Sequence, residues 1–167
     1  TNSNSNPVSG LTAFSPTHVD GCFLIGRGQL PNKTSVLQYV SSFDNKVLRS
    51  FPGITGTVSS ISMSPVNDFF VSYETESYSN KSTVCGVKIW DLNSSGCIGR
   101  GDVATSFENS IGSDCTVVGG VCFDPSGQVF AALLTTKNKI TLKLYDVRNF
   151  GSPFDTFVIK IDDITES

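Results

Sequence analysis

The stretch GVKIWDLNSSG, residues 86–96, decides how this chain is read. Val87, Ile89 and Asp91 alternate with Lys88, Trp90 and Leu92, and the run falls into a polar turn closed by Gly96. β-Branched and aromatic residues bounded by turn formers mark a strand that enters a hairpin. The same unit recurs as SVLQYVSSFDN (35–45) and as ITLKLYDVRNFGSP (140–153), with Tyr39 and Tyr145 taking the aromatic position of Trp90. The chain is built on a repeat.

Laying the units over one another extends the pattern. Each opens with a strand that ends in an apolar residue, a Ser or Asp, and a Pro: Phe14-Ser15-Pro16, Met63-Ser64-Pro65 and Phe123-Asp124-Pro125. Proline removes a donor and ends the ladder there. A mostly apolar strand follows, GCFLIG (21–26), DFFVSY (68–73) or QVFAALL (128–134), then a Lys-containing loop and the aromatic strand. A fourth strand closes each unit: KVLRSF (46–51), a weak GCIGRG (96–101) and FDTFVIKI (154–161). No helical periodicity is sustained anywhere, so the expected class is all-β with four antiparallel strands per unit.

The prolines are 49 and then 60 residues apart. A period of roughly 40 to 50 residues is that of a propeller blade. The longer interval contains a polar stretch, DVATSFENSIGSDC (102–115), read as a surface insertion, and ETESYSNKST (74–83) reads as an expanded loop inside the second unit. The expected organisation is therefore a polar, disordered leader over 1–7, blade one over 8–53, blade two over 54–101, the insertion over 102–115, blade three over 116–162 and a tail over 163–167. Three blades do not close a ring, since propellers have about four to eight. The chain is expected to be a partial β-propeller whose remaining blades come from elsewhere.

At this point the sequence resembles the WD-repeat proteins. More narrowly it is similar to the small WD-repeat subunit shared by the COMPASS histone H3 lysine methyltransferase complex and the cleavage and polyadenylation machinery. The residues that carry the likeness are DNKVLRSFPG (44–53), VSSISMSPVNDFFVS (58–72), VKIWDLNSSGC (87–97), VCFDPSGQVFAALL (121–134) and KLYDVRNFGSPFDTFVIK (143–160). The resemblance implies a seven-bladed propeller, a nuclear location and a scaffold without catalysis. It also implies protein partners: a SET-domain methyltransferase subunit, the RNA polymerase II machinery and a phosphatase 1 assembly. No unit has the Gly-His pair typical of the repeat, so the bonded His, Asp and Trp arrangement that stiffens many blades is expected to be missing.

Charge and chemistry-bearing residues narrow the function further. A net charge of -3 with 16% charged residues gives no footprint for nucleic acid or for an anionic membrane. No apolar run approaches the roughly 20 residues of a membrane span. His18 is the one histidine, which removes most routes to a catalytic triad or zinc catalysis. Asp162 and Asp163 are neighbours and would face opposite sides of a strand. The two Gly-Arg-Gly runs, 26–28 and 99–101, precede no helix and read as strand-end turns rather than phosphate loops. An enzyme, a cofactor site and a metal site are not expected.

The five cysteines, Cys22, Cys85, Cys97, Cys115 and Cys122, form no CxxC pair. Cys22 and Cys122 sit in apolar strands and are expected to be buried free thiols of a reducing compartment. The alternative, a secreted β-sandwich adhesin, would use the sequons at Asn32, Asn80 and Asn93. A WD-repeat adaptor of ubiquitin ligation or trafficking is the other alternative. One candidate binding feature stands out: Lys33, Lys81, Lys137 and Lys139 all fall between the second and third strands of their units. In adjacent blades they would line one rim and attract an acidic or phosphorylated tail, or else be plain solvated turn lysines.

Overall fold

The computed structural model describes residues 11–17, 20–28, 35–54, 56–77, 83–104, 118–136 and 139–161. Blade one holds β1 (Leu11–Pro16), β2 (Cys22–Gly28), β3 (Ser35–Ser41) and β4 (Val47–Phe51). Blade two holds β5 (Thr57–Met63), β6 (Phe69–Ser77), β7 (Thr83–Asp91) and β8 (Cys97–Ala104). Blade three holds β9 (Val118–Phe123), β10 (Val129–Thr136), β11 (Lys139–Asp146) and β12 (Asp155–Lys160). Each blade is a separate four-stranded sheet with its strands in chain order, and every neighbouring pair is antiparallel.

The sheets stack in series rather than as two facing layers. β1 lies against β5 and β5 against β9, so blade two is sandwiched between the others. Because strand side chains alternate between faces, blade two serves both interfaces at once. Ile61, Met63, Phe70 and Trp90 turn toward Leu24, Leu37 and Phe51 of blade one. Val71, Tyr73, Val87 and Ile89 turn toward Val121, Phe123, Phe130 and Tyr145 of blade three. Full burial of such a side chain contributes about 1.5–3 kcal/mol each, so these two seams hold the stack. Ring pairs repeat within the blades, Phe70 stacking on Trp90 at 6.3 Å and Phe130 on Tyr145 at 5.0 Å, and others cross the seams, Phe51 meeting Phe70 at 4.9 Å and Phe69 meeting Phe123 at 5.7 Å.

Strand register corrects the expected overlay of blade one. Phe70 is opposite Trp90 and Phe130 opposite Tyr145, but Phe23 is opposite Val40, while Tyr39 faces Leu24. Val40, not Tyr39, therefore occupies the aromatic position. The turn bonds agree, since the Ser41, Asp91 and Asp146 positions are followed by equivalent N–H donors from Ser42, Leu92 and Val147 to Gly21, Asp68 and Gln128 carbonyls. The proline overlay shifts too. Pro16 pairs with Phe23 as Met63 pairs with Phe70 and Phe123 with Phe130, so Pro16 matches Met63 and not Pro65. Two sequence cues, an aromatic residue and a proline, are out of step with the hydrogen-bond ladder in this blade alone.

Other boundaries move for packing reasons. Glu74–Ser77 and Thr83 belong to β6 and β7, so the described residues of the expected loop over 74–83 are strand, and 78–82 lie outside the described residues. Residues 102–104 continue β8, and the rest of the expected insertion lies outside the described residues. The Gly-Arg-Gly run at 99–101 is the interior of β8 and not a turn. The Phe150 ring of blade three stands where a Gly99 β carbon would be, and the Phe150 carbonyl oxygen lies 2.7 Å from that position at Gly101. These glycines let a neighbouring blade approach the strand.

Candidate protein-interaction surfaces

Of the rim lysines only Lys139 falls within the described residues; Lys33, Lys81 and Lys137 do not. Lys139 begins β11, is exposed, and stands opposite Thr136 on one side and Lys160 on the other. His18, Asp162 and Asp163 also lie outside the described residues. Asn93 is exposed in the turn after β7, where its Nδ2 donates to Asp68 Oδ2 at 2.9 Å.

The carboxylates at the hairpin end of the blades are occupied in building turns. Asp91 Oδ1 accepts the Asn93 N–H at 2.9 Å and Asp146 Oδ1 accepts the Arg148 N–H at 2.8 Å, the same Asx turn in two blades. Blade one has Ser41 at that place and uses Asp44, which accepts the Lys46 N–H at 3.2 Å. Hydrogen bonds from Arg148 hold the Asp146 carboxyl down at about 2, and bonds from Ser94 and the Asn93 amide depress that of Asp91. The Asp of the Trp-Asp pair is thus a turn-forming acceptor.

Trp90 anchors a polar thread that sequence reasoning missed. Its Nε1–H donates to Ser72 Oγ at 2.9 Å, and the Ser72 hydroxyl donates to Glu74 Oε1 at 3.2 Å. Lys88 Nζ donates at 2.7 Å to Glu74 Oε2 and at 2.7 Å to the Gly53 carbonyl in the link from blade one. All four side chains are buried. Where many blades are stiffened by His, Asp and Trp, a network of Trp, Ser, Glu and Lys fills this one. A signal was available: Ser72 and Glu74 are two apart on an apolar strand, and so are Lys88 and Trp90 on the next, which sets opposite charges on one face. Blade three puts Ala132 and Leu134 at the corresponding places.

The thiols differ from expectation. Cys22 is half-buried, while Cys97 and Cys122 are exposed, all three free. Along β9, Val121 and Phe123 turn inward to blade two, which sends Cys122 to the opposite face. Tyr39 is half-buried against the first seam, and burial first, then its contact with the Cys22 thiol, pushes its hydroxyl up to about 12. Trp90 and Tyr145 are fully buried packing residues and offer no stacking platform.

The open surfaces are the outer faces of the end blades. Blade one exposes Phe14, whose ring lies 5.6 Å from that of Phe23, and blade three exposes Leu133, Phe157 and Ile159. Apolar sheet faces of this kind belong against another surface.

Known proteins share this build. No family model matches the sequence. It is 41% identical over 125 residues to an uncharacterized WD repeat-containing protein of Schizosaccharomyces pombe, covering 74% of this chain and 30% of that protein. It is 32% identical over 132 residues to the COMPASS component SWD2 of Saccharomyces cerevisiae, covering 78% of this chain and 33% of that one. The chain thus spans about a third of the length of these curated relatives. A chain in the crystal structure of the mitotic checkpoint complex superposes with a TM-score of 0.63 over 89% of this chain and 37% of its own, at 15% identity, a likeness of fold alone. With three antiparallel sheets stacked as consecutive blades, this is a WD-repeat protein of partial β-propeller fold that resembles the COMPASS component SWD2.

Proposed function

We propose that the chain is part of a non-catalytic WD-repeat scaffold that works in the nucleus, joining protein partners within a histone H3 lysine methyltransferase complex. The observation that carries this reading is the 32% identity to a COMPASS component across 78% of the chain. The absence of catalytic groupings in the sequence agrees with a binding role. A SET-domain subunit is the first partner expected, with the RNA polymerase II machinery, an mRNA 3′-end processing complex and a phosphatase 1 assembly as further partners. Neither nucleic acid nor membrane is contacted directly. The lysines at 33, 81, 137 and 139 form the rim that receives an acidic or phosphorylated segment of one partner.

Affinity purification of the native protein followed by mass spectrometry tests the reading. Recovery of a SET-domain protein is expected; recovery of a ubiquitin ligase or a vesicle coat in its place overturns it. Charge reversal at Lys81 and Lys137 should weaken partner binding at low salt and leave little effect at high salt. Unchanged binding at low salt removes the rim from the account.

A further inference from the structure

Each blade ends in an outer strand, β4, β8 or β12, and no described strand pairs with its far edge. Such an edge presents a row of backbone N–H and C=O groups to which another chain can pair, and proteins blunt it with short strands, bulges or charges. Two of the three are blunted in this way. β4 is five residues long, has Arg49 at its centre, and meets β3 through a register shift between Tyr39 and Val40. β8 carries Arg100 between Gly99 and Gly101 and meets β7 through two register shifts. β12 is different: its six residues, DTFVIK, pair with β11 without a shift from Lys160 to Asp155, and its charges stand only at its two ends.

The exposure of β12 is equally distinct. All six residues are exposed, with Phe157 at 49%, Val158 at 55% and Ile159 at 51%, so both faces of the strand are open at once. β4, by contrast, runs inward to the buried Phe51, and the Phe150 ring overlies β8 at Gly99. The two faces of β12 differ in chemistry. Phe157 and Ile159 share one face with Leu142 and Ile140, their opposites on β11. Thr156, Val158 and Lys160 share the other with Lys143, Thr141 and Lys139. Across the sheet of blade three that second face holds three lysines and, among the described residues, no carboxylate. Lys139 and Lys160 stand directly opposite each other, a pairing of like charges that destabilises a sheet. A carboxylate on a strand laid beside β12 would stand opposite Lys160, in one row with Lys139, and offset both.

We infer that the free edge of β12 takes up an extended segment of a partner protein as a fifth strand of blade three. The segment alternates apolar residues, laid beside Phe157 and Ile159, with acidic ones, one of them laid beside Lys160. Backbone hydrogen bonds hold it, and the alternation sets its register. The inference does not depend on which complex the protein serves, and it uses β12 rather than the loop lysines Lys33, Lys81 and Lys137.

The test uses the intact protein and two short capped peptides, one alternating valine with glutamate and the other valine with lysine. Affinity is read at low salt by fluorescence anisotropy of the labelled peptides, and the place of binding by amide hydrogen exchange. The glutamate peptide should bind about ten-fold more tightly than the lysine peptide. It should also slow alternate amides over 156–160 and leave β4 and β8 unchanged. Lys160→Glu, at an exposed strand end, should abolish or reverse the preference, with Trp90 fluorescence reporting that the blades stay packed. Charge reversal at Lys81 and Lys137 should leave this binding unchanged. The inference is overturned if neither peptide binds, if the protection falls on β4 or β8, if Lys160→Glu leaves the preference intact, or if binding is lost with the loop lysines. Protection of β12 that needs no peptide and grows with protein concentration also overturns it, assigning the edge to a second copy.

Discussion

Replacing Lys88 with Met removes the cation that compensates a buried carboxylate. Lys88 Nζ is 2.7 Å from Glu74 Oε2, with the two side chains 9% and 4% exposed. After the change, Glu74 keeps Ser72 as a donor through Oε1, and the Gly53 carbonyl loses the ammonium that binds blade one to blade two. Breaking a buried pair by removing one partner costs about 3–5 kcal/mol, because the other charge is left uncompensated. With a urea slope of about 2 kcal/mol per molar, the midpoint should fall by roughly 1.5–2.5 M. Unfolding can be followed by the fluorescence of Trp90, the single tryptophan of the sequence, which is fully buried and lies 5.9 Å from Lys88 Nζ. The double change Lys88→Met with Glu74→Leu removes both charges, and its second half installs the residue type that blade three has at that place, Leu134. It should recover all but about 1 kcal/mol, since apolar replacement of a buried pair is often neutral or better. A single Lys88→Met loss below about 1 kcal/mol, or a double variant no more stable than the single, would refute the claim that the pair is coupled.

Further expectations follow from individual positions. Gly99→Ala should cost about 1–3 kcal/mol by driving a methyl into the Phe150 ring, while Gly151→Ala, with nothing within 4 Å, should change the thermal midpoint little. Ser95 sits at φ 61 in the turn after β7, so Ser95→Gly should raise stability by roughly 0.5–1 kcal/mol in urea denaturation, and Ser95→Val should lower it. The Asp146 carboxyl, held at about 2 by Arg148, lies below its unfolded value near 3.8, so its contribution is present above that value and is lost as pH falls through about 2. Carbon NMR should show this midpoint, and Arg148→Gln should return it toward the ordinary carboxylate range. A native midpoint already near 4 would remove Arg148 from the account.

The third strand of blade two is legible in the sequence, because Val87, Ile89 and Trp90 announce a strand and Asn93 to Gly96 a turn. In blade one the cues at Tyr39 and Pro16 are out of register, since Tyr39 packs half-buried on the seam while Val40 takes the ladder position opposite Phe23. Composition cannot reveal a bulge, yet the register shift between Tyr39 and Val40 matches that between Ile89 and Trp90. Gly99 and Gly101 looked like turn residues, as isolated glycines do, because their reason is a ring contributed by another blade. The exposure of Cys122 was hidden for a similar reason: alternation gives two faces, and only the stacking order says which of them is covered. Lys88 and Glu74 were readable in spacing, but a pair of charges on a strand ordinarily means solvent.

The most direct measurement is amide hydrogen exchange at Met63 and Phe123, whose N–H groups find acceptors in the preceding blade rather than in their own sheets. Serial stacking predicts that both exchange slowly, close to the rate of the central strands, and that Ser15→Ala releases Met63 alone while Ser62→Ala releases Phe123 alone. Fast exchange at both amides in the folded protein, alongside protected β6 and β10, would show three sheets that form without packing as consecutive blades.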